Sequence, residues 1–202
     1  MEIIEVVLHL DKYLSNLISG YGNLVYFILF MIIFSETGFV VTPFLPGDSL
    51  LFVLGSFAGT DTLNILILYP LLLTASILGN TVNYFIGLKF GRKIIQHTNI
   101  IKEDYIIQTE KFFAKHGSKA VILSRFLPFF RTFVPFFAGL GKMDTAKFMF
   151  YNILGGFLWI TSFILAGYFF GNIPIVKENF TLFIYLIIAL TVLPVVYKSI
   201  KG

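Results

Sequence analysis

Two arginines, Arg125 and Arg131, stand in the stretch SRFLPFFRTFVPFFAGLGK, residues 124–142, among phenylalanines, leucines and prolines. A guanidinium presents forked N–H donors that match phosphate oxygens, and it stays charged at physiological pH. At mid-bilayer each arginine costs about 2.5–3.5 kcal/mol on insertion scales. Two of them in such a run call for a ligand or a partner. Two acids have similar settings: Glu36 follows the apolar run LVYFILFMIIF, and Asp48 lies in PFLPGDSLLF. Buried carboxylates can exchange protons, and they can pair with the arginines when no ligand is bound. The four residues together point to a phosphate held by Arg125 and Arg131, with Glu36 and Asp48 coupling it to protons. The plainer alternatives are arginines that snorkel to lipid headgroups and an aspartate that serves as a turn residue in PGDS.

Enzymatic chemistry has little to work with. The histidines, His9, His97 and His116, fall in interfacial or loop segments, away from any intramembrane serine. Cysteine is absent, so thiolate nucleophiles and Cys-based metal sites are excluded. The pattern contains no cluster with metal-ligand spacing and no phosphate-cradling glycine loop with a lysine. The expectation is a non-enzyme with no catalytic residues, no cofactor and no metal.

The elements that must position the four residues belong to a membrane protein. Of the 202 residues, 57% are apolar and only 13% charged, against about a quarter charged in soluble domains. No polar stretch is long enough to fold alone, so residues 1–202 are read as a single membrane domain. The net charge of +4 concerns topology; no basic, aromatic-interleaved surface is present to bind nucleic acid. Residues 3–18 have the helical period of an amphipathic interfacial helix, within a flanking segment 1–20 closed by Gly20 and Gly22. A crossing is expected at about 23–42. Residues 43–59 are too short, and too broken by Pro43, Pro46, Gly47, Gly55 and Gly59, to span as a plain helix. They read as a re-entrant hairpin, since irregular backbone at membrane depth needs protein or a wet cavity around it.

A long crossing helix is expected over 62–88, then a polar segment, 89–119, containing a second amphipathic helix at 103–116 stopped by Gly117. Residues 120–141 repeat the broken pattern around Pro128 and Pro135. Asp144 is placed to cap a crossing helix over about 146–171, and a last crossing is expected at 180–197. Asn80, Asn83, Tyr84 and Asn152 could line a polar path, or simply bond between helices. Pro46, Gly47 and Pro128 shape the two hairpins.

The halves match at an offset near 80: FLP at 44–46 and 126–128, AG at 58–59 and 138–139, G-x-x-x-G at Gly87/Gly91 and Gly167/Gly171. The first repeat spans 36–88 and the second 119–171. Lys89, Arg92, Lys93, Lys102, Lys111, Lys115 and Lys119 place 89–119 on the cytoplasmic side, with both termini. The two hairpins then enter from opposite sides. The fold class expected is an all-α integral membrane protein, an inverted repeat of re-entrant hairpin plus transmembrane helix with flanking helices, an architecture used by secondary transporters.

The motifs E-x6-P-x2-P-G-D at 36–48, GN-x3-Y-x2-G-x3-G at 79–91, and SRFLPFFRT-x5-AG at 124–139, followed by Asn152 and Trp159, resemble the DedA family, the bacterial branch of the VTT-domain (SNARE-associated) membrane proteins. The resemblance covers roughly 25–171. It implies a protein of the bacterial inner membrane that moves phospholipids or the polyprenyl phosphate carrier of cell-wall synthesis across the bilayer. Eukaryotic relatives are lipid scramblases, and bacterial members are associated with proton-motive-force maintenance, envelope integrity and resistance to cationic peptides. The family's essential acids correspond to Glu36 and Asp48, the latter a glutamate in many members, and its essential arginines to Arg125 and Arg131. The expected function is a proton-coupled flippase of an anionic lipid phosphate, undecaprenyl phosphate in particular. The alternative is an uncoupled phospholipid scramblase or a phosphatidylethanolamine translocase. The partners are then the lipid, protons and the membrane, with self-association as a homo-oligomer left open. Phe129, Phe130, Phe133, Phe136 and Phe137 are expected either to line the route of the lipid chain or to face the bilayer.

Overall fold

The computed structural model describes residues 10–39, 47–97, 103–178 and the isolated positions 182, 183 and 186. Over these residues every regular element is helical: α1 Leu10–Tyr21, α2 Leu24–Gly38, α3 Gly47–Gly59, α4 Ile65–His97, α5 Glu103–His116, α6 Ala120–Leu123, α7 Pro128–Leu140, α8 Thr145–Phe170 and α9 Pro174–Glu178. Single turns of 3₁₀ helix, Gly117–Lys119 and Ser124–Phe126, flank α6.

Two helices are long and apolar enough to cross a bilayer, over Ile65–Ile94 in α4 and over Thr145–Phe170. At about 1.5 Å per residue both exceed the roughly 30 Å hydrocarbon core. Their outward faces carry large apolar side chains, including Leu66, Phe90, Phe150, Phe157 and Phe169, as contact with lipid requires. Helix α2, expected to cross over 23–42, has 15 residues and reaches only about 22 Å at that rise. Helices α3 and α7 have 13 residues each, too short to span. The final crossing expected at 180–197, the first nine residues and Pro46 lie outside the described residues, apart from helical turns at 182, 183 and 186.

Local signals set several boundaries. Gly22 and Gly117 adopt positive φ, 50° and 55°, in the left-handed region that glycine enters without a Cβ penalty. They follow the ends of α1 and α5. The Asp144 carboxylate accepts the backbone N–H of Lys147 at 2.8 Å, capping α8 as expected. Leu127 is extended, φ −122° and ψ 104°, the conformation a following proline imposes, and Pro128 then opens α7 at a position where no N–H is missed. Helix α4 instead continues past the expected end at 88 to His97. Gly87 and Gly91 do not stop it; they serve packing.

The chain divides into two compact units. The first holds the described residues of Met1–Ile32, Pro46–Leu73 and Ile160–Gly202; the second holds those of Ile33–Leu45 and Thr74–Trp159. In the first unit α1 packs on α3, and α3 packs on the C-terminal part of α8. A Cβ at Gly59 would stand 2.7 Å from the Tyr168 carbonyl oxygen, and one at Gly167 would collide with the Phe52 carbonyl. In the second unit α7 packs the same way on α4: a Cβ at Gly139 would collide with the Tyr84 carbonyl, and one at Gly87 with that of Phe136. The glycines at these seams are those of the AG and G-x-x-x-G matches. Each unit thus joins the short helix of one half of the sequence to a long-helix segment from the other half.

Four phenylalanines of α7, Phe130, Phe133, Phe136 and Phe137, belong to the interior of the second unit; the Phe129 side chain lies outside the described ones. Phe130 stacks on Phe112 at 4.4 Å, within a cluster that includes Tyr84, Val121, Val134 and Phe148. Phe133, Phe136 and Phe137 form another. All four are buried. Neither a bilayer-facing position nor a lined route describes them; they are packed core.

Candidate functional site

The polar centre of the second unit is assembled on one face of α4. Ser76, Asn80 and Asn83 follow at i, i+4 and i+7, a spacing that aligns side chains along a helix; all three are buried. Between them, Gly79 lets the end of α2 come close: a Cβ at Gly79 would stand 2.7 Å from the Phe34 carbonyl oxygen and collide with the Thr37 hydroxyl. That approach brings Glu36 alongside α4. The seam at Gly87 and Gly139 brings in α7 and Arg131. Asn83 then ties the two segments together, its Nδ2 donating to the Thr132 carbonyl at 2.8 Å and the Thr37 carbonyl at 3.4 Å. Its acceptors belong to the neighbours in sequence of Arg131 and Glu36.

Those two residues form an ion pair, Arg131 Nη2 with Glu36 Oε1. Arg131 is 5% exposed and Glu36 1%, so the pair is desolvated. Arg125, on the 3₁₀ turn ahead of Pro128, is 2% exposed. Its Nη1 donates to the Ser76 hydroxyl, and its Nη2 donates to Asn152 Oδ1 at 2.6 Å. With the Asn80 amide turned to suit its neighbours, its nitrogen donates to the Thr37 carbonyl at 3.2 Å and its oxygen accepts from Arg125 Nη2 at 3.0 Å. Arg125 also lies against bare backbone of α8: a Cβ at Gly155 would be 3.5 Å from its Nε, and one at Gly156 3.5 Å from its Nη2. The Trp159 ring neighbours both cations, its centroid 6.0 Å from the Arg125 guanidinium carbon and 5.7 Å from that of Arg131, within cation–π range.

The structure therefore brings Arg125, Arg131, Glu36, Asn80 and Asn152 into one buried cluster, with Pro128 dividing the turn that carries Arg125 from the helix that carries Arg131. Snorkelling does not describe either arginine. Asp48 and Gly47 belong to the other unit, in the first turn of α3, where Asp48 is buried and favourably placed toward the helix dipole. Tyr84, a candidate for a polar path, is instead core: it stacks on Phe148 at 4.2 Å, and its hydroxyl donates to the Met143 carbonyl. Sequence reasoning missed Ser76, Thr37 and the role of Trp159. The available signal was spacing, with Ser76, Asn80 and Asn83 on one face, and Asn152, Gly155, Gly156 and Trp159 at i, i+3, i+4 and i+7 on another. Among the described residues, no group of His, Cys, Asp and Glu could hold a metal ion.

These features define a helical membrane protein built around a buried arginine pair with the Glu36 carboxylate against Arg131. The VTT domain family matches residues 45–169, and the chain belongs to that family, in its DedA branch. It is 48% identical over 203 aligned residues to Protein DedA of Escherichia coli (strain K12), covering 98% of this chain and 93% of that protein. It is 39% identical to an uncharacterized membrane protein of Mycobacterium leprae (strain TN), covering 85% of this chain and 78% of the relative. It is 35% identical to Inner membrane protein YqjA of E. coli (strain K12), covering 76% and 70%. No solved structure matches the chain.

Proposed function

We propose that this protein moves an anionic lipid phosphate, undecaprenyl phosphate in particular, across the bacterial cytoplasmic membrane, coupled to protons. The observation that carries the reading is the unequal treatment of the two arginines. Arg131 faces a carboxylate. Arg125 is as deeply buried, and its hydrogen-bond partners, Ser76, Asn80 and Asn152, are all neutral. An ion in a low-dielectric interior without a counter-charge costs several kcal/mol, and a phosphate beside it would remove that cost. The N-terminus of α7, with Arg131 in its first turns, adds positive potential at the same place. A headgroup neutralised in this cluster loses most of the penalty for crossing.

In this reading Arg125 and Arg131 hold the phosphate, while Glu36 and Asp48 carry protons. Both arginines are buried, so a headgroup reaches them only when the second unit opens. Helices α3 and α7 act as the descending arms of re-entrant hairpins, which agrees with their length. Both termini face the cytoplasm, by the excess of lysine and arginine in 89–119, and an inner-membrane location agrees with the name of the E. coli relative YqjA. The Glu36–Arg131 pair also fits a second reading, an uncoupled phospholipid scramblase in which Glu36 only balances charge. Proteoliposomes carrying a labelled polyprenyl phosphate separate the two. Coupled transport accelerates under an imposed pH gradient and slows when a protonophore collapses it; a rate indifferent to both supports the scramblase.

A further inference from the structure

Trp159 is the largest fully buried side chain among the described residues, 1% exposed, and the only tryptophan in the sequence. It ends the face of α8 that runs through Asn152, Gly155 and Gly156. At the start of that face the Asn152 amide oxygen accepts from Arg125 Nη2 at 2.6 Å. In the middle the two glycines leave the helix surface bare, and the Arg125 guanidinium lies against it. At the end stands the indole ring, its centroid 6.0 Å from the guanidinium carbon of Arg125 and 5.7 Å from that of Arg131. Arg125 comes from the turn ahead of Pro128 and Arg131 from α7. One ring is thus common to two cations carried by different elements.

The face of an aromatic ring attracts a cation through its quadrupole. Indole does so best among the side chains, and the attraction grows when water is excluded. It draws on the positive charge of the guanidinium and uses none of its N–H donors, which remain for the oxygen acceptors Ser76, Asn80, Asn152 and Glu36. Two like charges in an interior repel each other; a shared ring face draws both toward one place.

We propose that Trp159 is a positioning residue: the π face of its indole, more than its bulk, holds Arg125 and Arg131 in the mutual placement in which they receive a phosphate. This rests on the phosphate-holding reading above and adds to it the group that sets the two arginines relative to each other. A phenylalanine at this position keeps a weaker ring face. A leucine fills space and offers none.

Because the chain has one tryptophan, fluorinated tryptophan supplied to a tryptophan auxotroph alters this ring alone. Each fluorine withdraws electron density from the ring face and changes its size little. Full-length protein carrying tryptophan, monofluoro-, difluoro- or trifluorotryptophan is purified in detergent, beside Trp159→Phe and Trp159→Leu. Thermal stability is measured without ligand, and affinity for farnesyl monophosphate by calorimetry. Stability and affinity both fall stepwise with the number of fluorines, the affinity by about tenfold at the third, equivalent to 1.4 kcal/mol. Trp159→Phe keeps part of what Trp159→Leu loses. A ring that only fills space gives stability and affinity independent of fluorine number, and that result overturns the inference. So does a stepwise loss of stability with unchanged affinity, since the ring would then hold the arginines without placing them for phosphate. Failure of the unsubstituted protein to bind farnesyl monophosphate overturns the phosphate reading instead, and the stability series then decides by itself whether the indole holds the arginines.

Discussion

Arg131 and Glu36 answer each other across a separation in sequence that no local pattern encodes. Their pairing is desolvated on both sides, which sets an asymmetric expectation. Removing one member strands the other charge in the interior, at a cost of about 3–5 kcal/mol, whereas replacing both with apolar or neutral groups of similar size is often near neutral. Arg131→Ala and Glu36→Ala are therefore each expected to lower unfolding stability in detergent by that amount. The double variant Glu36→Gln/Arg131→Met should lose clearly less than the sum. Additive losses would mean that the pair is not a unit. At this scale the sequence marked the charged residues and allowed acid–arginine pairing, but not which acid meets which arginine. An arginine or glutamate in an apolar run is conspicuous because its burial is expensive, so Arg125, Arg131 and Glu36 stand out. Ser76 and Asn152 do not, because a lone hydroxyl or amide on an apolar helix is cheap enough to need no special reason. What distinguishes them is convergence on Arg125 from two helices, which only tertiary structure reveals.

At the scale of elements, the two units share one device, a short helix laid on a long one with glycines at the crossing. A Cβ at Gly87 or Gly139 meets a carbonyl of the facing helix, as does one at Gly167 in the other unit. Carbonyls cannot rotate away as flexible side chains do, so the helices would have to separate. Gly87→Ala and Gly139→Ala are each expected to cost about 1–3 kcal/mol, the usual range for overpacking, and to loosen Arg131, which rides on α7. Gly20→Ala in α1 meets nothing within 4 Å and should be neutral or stabilising, by up to about 1 kcal/mol. A thermal-melt series on the three variants checks the contrast; equal shifts at all three positions would contradict the seam. The G-x-x-x-G pairs were legible as close-packing signals, but not which helix they faced. The expected end of α4 at 88 failed because a glycine such as Gly91 costs only about 1 kcal/mol inside a helix, which packing against α7 offsets. Gly117, with no neighbour for a Cβ and a positive φ, ends its helix as expected. The same residue type gave opposite outcomes because one position is dictated by backbone conformation and the other by a neighbouring helix.

For the whole molecule, membrane class and helical content followed from composition and from the long apolar runs. The division into two units did not, because each unit draws on both halves of the chain and takes a part of each long helix. A repeat read along the sequence groups each hairpin with the helix that follows it; the glycine seams add contacts of α3 with α8 and of α7 with α4. Function at this scale depends on whether the positive charge buried in the second unit serves a travelling phosphate. The most direct measurement is translocation of a labelled polyprenyl phosphate in proteoliposomes, wild type against Arg131→Ala, with insertion and folding of both verified in the same vesicles. Transport by wild type and its loss in an inserted, folded Arg131→Ala protein are expected. Undiminished transport by that variant would contradict the phosphate-holding role of the arginine pair.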